Sequence, residues 1–222
     1  MKALAALLLL VACDSREPPA PPQARTARIA PTATRAMTPA LPSRTSMVPG
    51  LEQDLKDADP NVRRAAVREA ARDADADPQV FLAASRDRDR EVAIVATEAL
   101  AKLHARGELP ASELIARAID KSLDERVRVS AINGLGLVAS ADAARTLAEL
   151  VHRGDTLEKR SAAILLVHQD PEVAVPALID ALADADEVVR ANALEALRGR
   201  ARGRDFGSDA GAWRAWWQSR SR

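Results

Sequence analysis

The chain has 222 residues, of which 47% are hydrophobic but only 2% aromatic, with no tyrosine. Alanine, leucine and valine must therefore fill the core, and the alternating β-branched and aromatic runs that mark strands are nearly absent, which points to an all-α fold. Basic and acidic residues balance at 32 each, so no net field draws nucleic acid or an acidic ligand, and a single cysteine excludes an internal disulfide.

Residues 1–12 begin with Met1-Lys2 and run apolar from Ala3 to Ala12. Spanning a bilayer takes about 20 residues, so this run is too short; it fits the hydrophobic region of a secretory signal. Its end, Leu10-Val11-Ala12-Cys13, resembles the bacterial lipobox. The resemblance implies cleavage before Cys13, a diacylglyceryl thioether on that residue and an acylated, palmitate-bearing amine. It implies a lipoprotein of the cell membrane or outer membrane, facing the periplasm or exterior. Several acyl chains at about 0.8 kcal/mol per buried methylene anchor a protein durably. Residues 13–47 carry Pro18, Pro19, Pro21, Pro22, Pro31, Pro39 and Pro42 among Ala, Thr, Ser and Arg, with no apolar period. Such a segment cannot bury enough surface to order itself and reads as a tether. Its arginines, Arg16, Arg25, Arg28, Arg35 and Arg44, outnumber Asp14 and Glu17; they suit a solvated spacer or attraction to anionic headgroups.

Residues 48–199 repeat. Asp59-Pro-Asn-Val-Arg-Arg-Ala-Ala-Val67, Asp89-Arg-Glu-Val-Ala-Ile-Val-Ala-Thr97, Asp124-Glu-Arg-Val-Arg-Val-Ser-Ala-Ile132, Thr156-Leu-Glu-Lys-Arg-Ser-Ala-Ala-Ile164 and Asp186-Glu-Val-Val-Arg-Ala-Asn-Ala-Leu194 align, with spacings of 30, 35, 32 and 30 residues. A period in this range marks a solenoid. Asp59, Asp89, Asp124 and Asp186, with Thr156 in the fourth copy, fall at helix N-caps. Ala66, Ala96, Ala131, Ala163 and Ala193 permit close helix approach. Val67, Ile132, Ile164 and Leu194 are expected in the core, with Thr97 the weak member. Each capped helix is preceded by another candidate, over residues 49–57, 78–85, 110–121, 141–153 and 171–183. In the last unit Val175, Leu178, Ile179 and Leu182 form one apolar stripe and Val189, Ala193, Leu194 and Leu197 another. Neither helix covers its stripe alone.

Helix, cap loop, D-x-x-V-R-x-x-A and helix again resembles the short bacterial HEAT repeats, a pattern shared by the phycobilin-lyase-type HEAT families. The resemblance implies a right-handed α-solenoid of about five helical hairpins. It implies that Arg63, Arg128, Arg160 and Arg190 pair with Asp residues of neighbouring units as a structural ladder, with Asp59, Asp89, Asp124 and Asp186 among its members and Ala93 breaking the series. Arginine's bidentate fork suits a partly buried carboxylate. It also implies that the second helices line a concave surface. On that face Ile94, Val129, Leu137 and Leu165 would form an apolar strip with Arg68, Glu98, Asn133 and Glu195 beside it, a candidate partner-binding site.

Residues 200–222 include Arg204-Asp-Phe-Gly-Ser-Asp-Ala-Gly-Ala-Trp-Arg-Ala-Trp-Trp217, which resembles a tail that follows many bacterial HEAT arrays. Asp209 would cap a last helix, and Trp213, Trp216 and Trp217 at i, i+3 and i+4 share one face. That helix serves as a cap on the open end of the array, or as an aromatic docking site. Arg198, Arg200, Arg202 and Arg204 cluster just before it and could meet phosphate or lipid headgroups, without the aromatic interleaving of a nucleic-acid reader. His104, His152 and His168 lack ligand spacing, so no metal site is expected. No P-loop, G-x-S-x-G or G-x-G-x-x-G with its context appears. The sequence thus suggests a monomeric, lipid-anchored scaffold of the cell envelope that binds an unidentified protein, without enzymatic activity, cofactor or nucleic acid. The alternatives are a bilin lyase-like or other chromophore-handling enzyme, suggested by the family resemblance, and a purely structural envelope spacer.

Overall fold

The computed structural model describes residues 50–220; Cys13, the signal segment 1–12 and the tether 13–47 lie outside them. Helix α1 (Leu51–Asp54) pairs with α2 (Pro60–Ala70), α3 (Pro78–Ala84) with α4 (Arg90–Ala105), and α5 (Ala111–Ile119) with α6 (Glu125–Leu135). Then α7 (Ala141–Arg153) pairs with α8 (Thr156–Leu165), which runs into a 3-10 turn at Leu166–His168, and α9 (Pro171–Ala181) pairs with α10 (Glu187–Arg200). A final helix, α11 (Ala210–Gln218), follows, and no strand occurs among the described residues. The second helices stack in chain order, α2 on α4, α4 on α6, α6 on α8 and α8 on α10. The first helices do likewise from α5 to α7 to α9, and α11 lies on α9. Each pair leans on its neighbours in sequence, which makes this an α-solenoid.

Capping sets the register. Asp59, Asp89, Asp124 and Asp186 each accept a backbone amide of the helix they start. Pro60 stands at the first helical position, where its missing amide leaves nothing unpaired. The fourth unit departs from the sequence alignment by one residue. Its N-cap is Asp155, not Thr156, and Asp155 forms a reciprocal capping box with Glu158, whose carboxylate accepts the Asp155 amide at 2.9 Å. The shift brings Ala162 into line with Ala66, Ala96, Ala131 and Ala193, all buried. Ala163 takes the core position held by Val67, Thr97 and Ile132, while Leu194 is only half-buried. Ile164, expected in the core, is 52% exposed. A second carboxylate one residue earlier makes a better cap than a threonine hydroxyl, and the whole helix turns with it.

Close approach is achieved with small residues. At Gly134 an added Cβ would lie 2.7 Å from the Ala101 Cβ, so α6 can touch α4 there only without a side chain. The longer third unit is accommodated after α4. Gly107, at φ 75°, lets its own amide reach the His104 carbonyl and the Glu108 amide reach that of Leu103, the two bonds of a Schellman turn. The buried His104 ring then meets the Leu109 carbonyl through Nδ1 at 2.9 Å.

Candidate functional site

Two features stand where the sequence places chemistry: the charged seams between units and the outward face of the second helices. In the first seam, Arg63 donates from Nε and Nη2 to the two Asp87 oxygens at 2.7 and 2.8 Å, while Nη1 holds the carbonyls of Asp57 and Ala58 in its own loop. The Arg63 guanidinium holds the Asp87 carboxyl below the usual carboxylate range. In the third seam, Arg128 donates to Glu158 at 2.6 Å and to Asp155 at 2.7 Å, with Nη1 on the Leu123 carbonyl. Lys121 joins from the loop after α5, 2.7 Å from Glu158 and 3.0 Å from Asp155. Burial pushes the Glu158 carboxyl up, but the bonds from Lys121, Arg128 and the Asp155 amide outweigh it and leave it lowered. In the fourth seam the shifted register hands the ladder position to Lys159, which reaches Asp184 at 2.8 Å. Arg160, one residue on, makes a bidentate pair with Asp186 at 2.9 and 2.6 Å. That pair holds the Asp186 carboxyl down at about 2.

The carboxylates that receive these cations differ from those expected. Asp59, Asp89 and Asp124 serve as caps and receive none of these guanidinium groups, whereas Asp186 and the unforeseen cap Asp155 do both. A cap carboxylate is turned into its own helix, whereas Asp87 and Asp184, two residues earlier, accept the cap residue's amide and keep an oxygen toward the preceding unit. Arg190 grips the Asp184 and Ala185 carbonyls of its own loop. In the second seam, where Ala93 leaves no cation, a residue outside the repeat pattern takes over. Arg117 on α5 is 1% exposed and donates to Ser85 Oγ at 2.7 Å, to the Leu82 carbonyl at 3.2 Å and to the Glu113 carbonyl at 2.7 Å. Burial pushes the Arg117 guanidinium down, against support from Glu113. The only sequence sign of Arg117 was the gap at Ala93.

The outward face carries one regular row. Nine residues after each cap stand Arg68, Glu98, Asn133, Ile164 and Glu195, all exposed. Ile94 and Val129, four residues earlier in their helices, are half-buried, and Leu137, just past α6, is 59% exposed. Leu165 does not belong to this strip. It packs on the core toward Gly136, where an added Cβ would lie 2.3 Å from Leu165 Cδ2, and Ile164 stands on the face in its place. The same one-residue shift accounts for both changes.

At the C-terminal end, Asp209 caps α11 by accepting the Ala212 amide. Phe206, Trp213 and Trp216 stack edge to face with centroids 4.9 and 5.5 Å apart, and Trp213 Nε1 donates to the Gly207 carbonyl at 2.9 Å. Trp213 and Trp216 are buried, and Trp217 is half-buried against the core. Among the described residues no group of three or more His, Cys, Asp or Glu could hold a metal ion, and no helix is long and apolar enough to cross a membrane.

A stacked series of capped helical pairs, joined by cation and carboxylate across three of its four seams, is a recognisable plan. The family of HEAT repeats matches residues 111–198. Over these residues the chain carries HEAT repeats. Among solved structures, the HEAT array is similar to two engineered proteins from a structural genomics consortium. One is 21% identical over 73% of this chain and 86% of the other, with a TM-score of 0.49. The second is 20% identical over 67% and 77%, with a TM-score of 0.45. A third similar structure, human deoxyhypusine hydroxylase in complex with glycerol, is 19% identical over 73% and 80%, with a TM-score of 0.37. Among curated proteins nothing matches. HEAT repeats form an interaction or scaffold fold.

Proposed function

We propose that this HEAT array is a lipid-anchored scaffold of the bacterial cell envelope that binds a partner protein on the face of its second helices. The observation that carries the reading is the row of outward positions on α4, α6 and α8. Ile94, Val129, Leu137 and Ile164 stand there beside Glu98 and Asn133, with Arg68 and Glu195 at the ends of the row. Exposed apolar side chains grouped among charged and polar ones mark contact surfaces. Its action is display of a preformed surface, not bond chemistry, and it needs no cofactor. Anchoring is drawn from the Leu10-Val11-Ala12-Cys13 motif, with the proline-rich stretch as the tether between membrane and array.

Two experiments test the two halves. Radiolabelled palmitate should enter the wild-type chain and not Cys13→Ala; equal labelling would remove the anchor and the location with it. Photocrosslinkers placed at Asn133 and at Arg214 should compare the two surfaces in detergent-solubilised envelope. A discrete adduct is expected from Asn133 alone, lost when Leu137 and Ile164 are both changed to Asp. Adducts that survive that double change would put the partner elsewhere on the molecule.

A further inference from the structure

The arginines after α10 are not spent in the same way as those in the seams. Arg198 pairs with Asp205 at 2.7 Å, and Arg200 is tied to the carbonyls of Leu166 and Gln169. Arg202 and Arg204 have no ion pair or hydrogen bond to any side chain among the described residues. Both line a cleft of about 360 Å³ with Ala201, Trp216 and Arg220. Arg202 and Arg220 also line an adjoining cleft of about 590 Å³, walled by Val175, Trp217 and Arg200. The Arg220 guanidinium lies 5.2 Å from the Trp216 ring centroid and 5.8 Å from that of Trp217, within cation–π reach of both. Glu172 is the one carboxylate on the walls of the two clefts.

Two further observations mark the place as built. Arg202 sits at φ 48°, the one non-glycine residue with positive φ among the described residues, and Gly203 follows at φ 89°. A long side chain is rarely held in that conformation, and such strain is retained where the surroundings or a function demand it. Arg200 Nε is buried and has no acceptor among the described residues. Three guanidinium groups from one loop and one helix end thus converge on a space that offers them a single carboxylate. Planar forks of this kind bind phosphate oxygens bidentately, and the tryptophan wall gives an apolar seat to whatever carries the phosphate.

We propose that this cleft between the last repeat and α11 binds a phosphate group, held by Arg202, Arg204 and Arg220, either on a small phosphate ester or on an anionic lipid headgroup. The site does not depend on the outward face of the second helices. It comes with its own reporter. All three tryptophans of the chain are in α11 and there is no tyrosine, so intrinsic fluorescence reads this region alone.

The test uses the full chain carrying Cys13→Ser, so that no acyl chain enters a vesicle by itself. Tryptophan emission is followed at constant ionic strength against sodium pyrophosphate, phosphatidylglycerol vesicles, phosphatidylcholine vesicles and poly-glutamate. A saturable change with pyrophosphate supports a soluble phosphate ester. A change with phosphatidylglycerol but not phosphatidylcholine, without a pyrophosphate response, supports a headgroup. In either case Arg202→Asn, which suits the left-handed backbone, and Arg204→Gln should each weaken binding at least tenfold while the melting curve stays in place. No saturable response to either phosphate probe would overturn the proposal. So would a response undiminished in both variants, or an equal response to poly-glutamate, which would point to an acidic protein segment.

Discussion

Between the third and fourth units, Arg128 meets Glu158 and Asp155, Lys121 meets the same two carboxylates, and Glu158 is wholly buried beneath them. At the C-terminal end, Arg202 and Arg204 project into clefts where they meet no side-chain acceptor among the described residues. The two regions use the same residue type in opposite ways. In the seam every guanidinium is matched by a carboxylate of the next unit, so the charge is consumed in holding the stack together. After α10 no further repeat follows among the described residues, and the charge is left available. The difference shows that the role of an arginine in a repeat array is set by what the neighbouring unit brings to it.

The comparison can be broken most sharply at Glu158. Glu158→Gln removes the charge that offsets buried Arg128 and draws in Lys121. Stripping one partner from a buried pair costs about 3–5 kcal/mol. We expect the urea midpoint to fall accordingly, with the transition losing cooperativity as the array divides at this seam. An equal change at Asp205, whose pair with Arg198 is exposed on both sides, should have little effect.

The second seam sharpens the same point, because it has no ladder carboxylate. Arg117→Ala opens space at a buried site and removes the donor serving Ser85 Oγ and two carbonyls. Losses of this kind come to about 2–4 kcal/mol. Arg117→Met keeps most of the volume and should recover part of the loss in the same denaturation measurement. Full recovery would mean that the residue acts by filling space alone.

How much of this was legible in advance divides along physical lines. Caps and core alanines follow from local rules that act within one turn, so the helices, their order and the solenoid could be read from D-x-x-V-R-x-x-A alone. The fourth unit was misread by one residue because Asp155 and Thr156 are both competent caps, and the choice is made by Glu158 reaching back to the Asp155 amide. That single residue moved Ile164 to the surface and Leu165 into the packing. Arg117 could not be found by comparing repeats, since it stands in for a missing member of the pattern. The convergence of Arg202 with Arg220 depends on how α11 folds back on α9, which no local rule states.

Gly134 offers a test between these two levels. Alanine is the better helix former by about 1 kcal/mol, so the local rule predicts stabilisation. The inter-unit contact predicts the reverse, because the new Cβ would also lie 3.0 Å from Leu114 Cδ1. Overpacking of this kind costs about 1–3 kcal/mol, and we expect Gly134→Ala to melt earlier. A higher melting temperature would show that α4 and α6 can separate at little expense.

The seam carboxylates also set the acid limit. Asp87, Glu158, Asp184 and Asp186 are all held below the ordinary carboxylate range in the folded chain. A folded-state value below the unfolded one contributes stability that is fully present above about pH 4 and is lost as pH falls through the folded value. The array should therefore lose stability progressively below pH 4, down to the protonation of Asp186 at about 2. Asp186→Asn should flatten the lowest part of that limb while leaving the melting temperature near neutral pH less affected than Glu158→Gln does.

The smallest effect belongs to the cap helix, and it separates charge from packing there. Arg214 pairs with Asp180 at 2.7 Å, yet both side chains are more than half exposed. Pairs of this kind contribute about 0–1 kcal/mol and are screened by salt. Trp213, by contrast, is fully buried between Phe206 and Trp216, and truncating such a ring costs about 3–5 kcal/mol. Arg214→Ala should leave the melting temperature nearly unchanged in 0.15 M salt, while Trp213→Ala should free α11 and expose the end of the last repeat. If Arg214→Ala proved as damaging as Trp213→Ala, the closing helix would be held by charge as the seams are, and the contrast between the two ends of the arginine series would lose its basis.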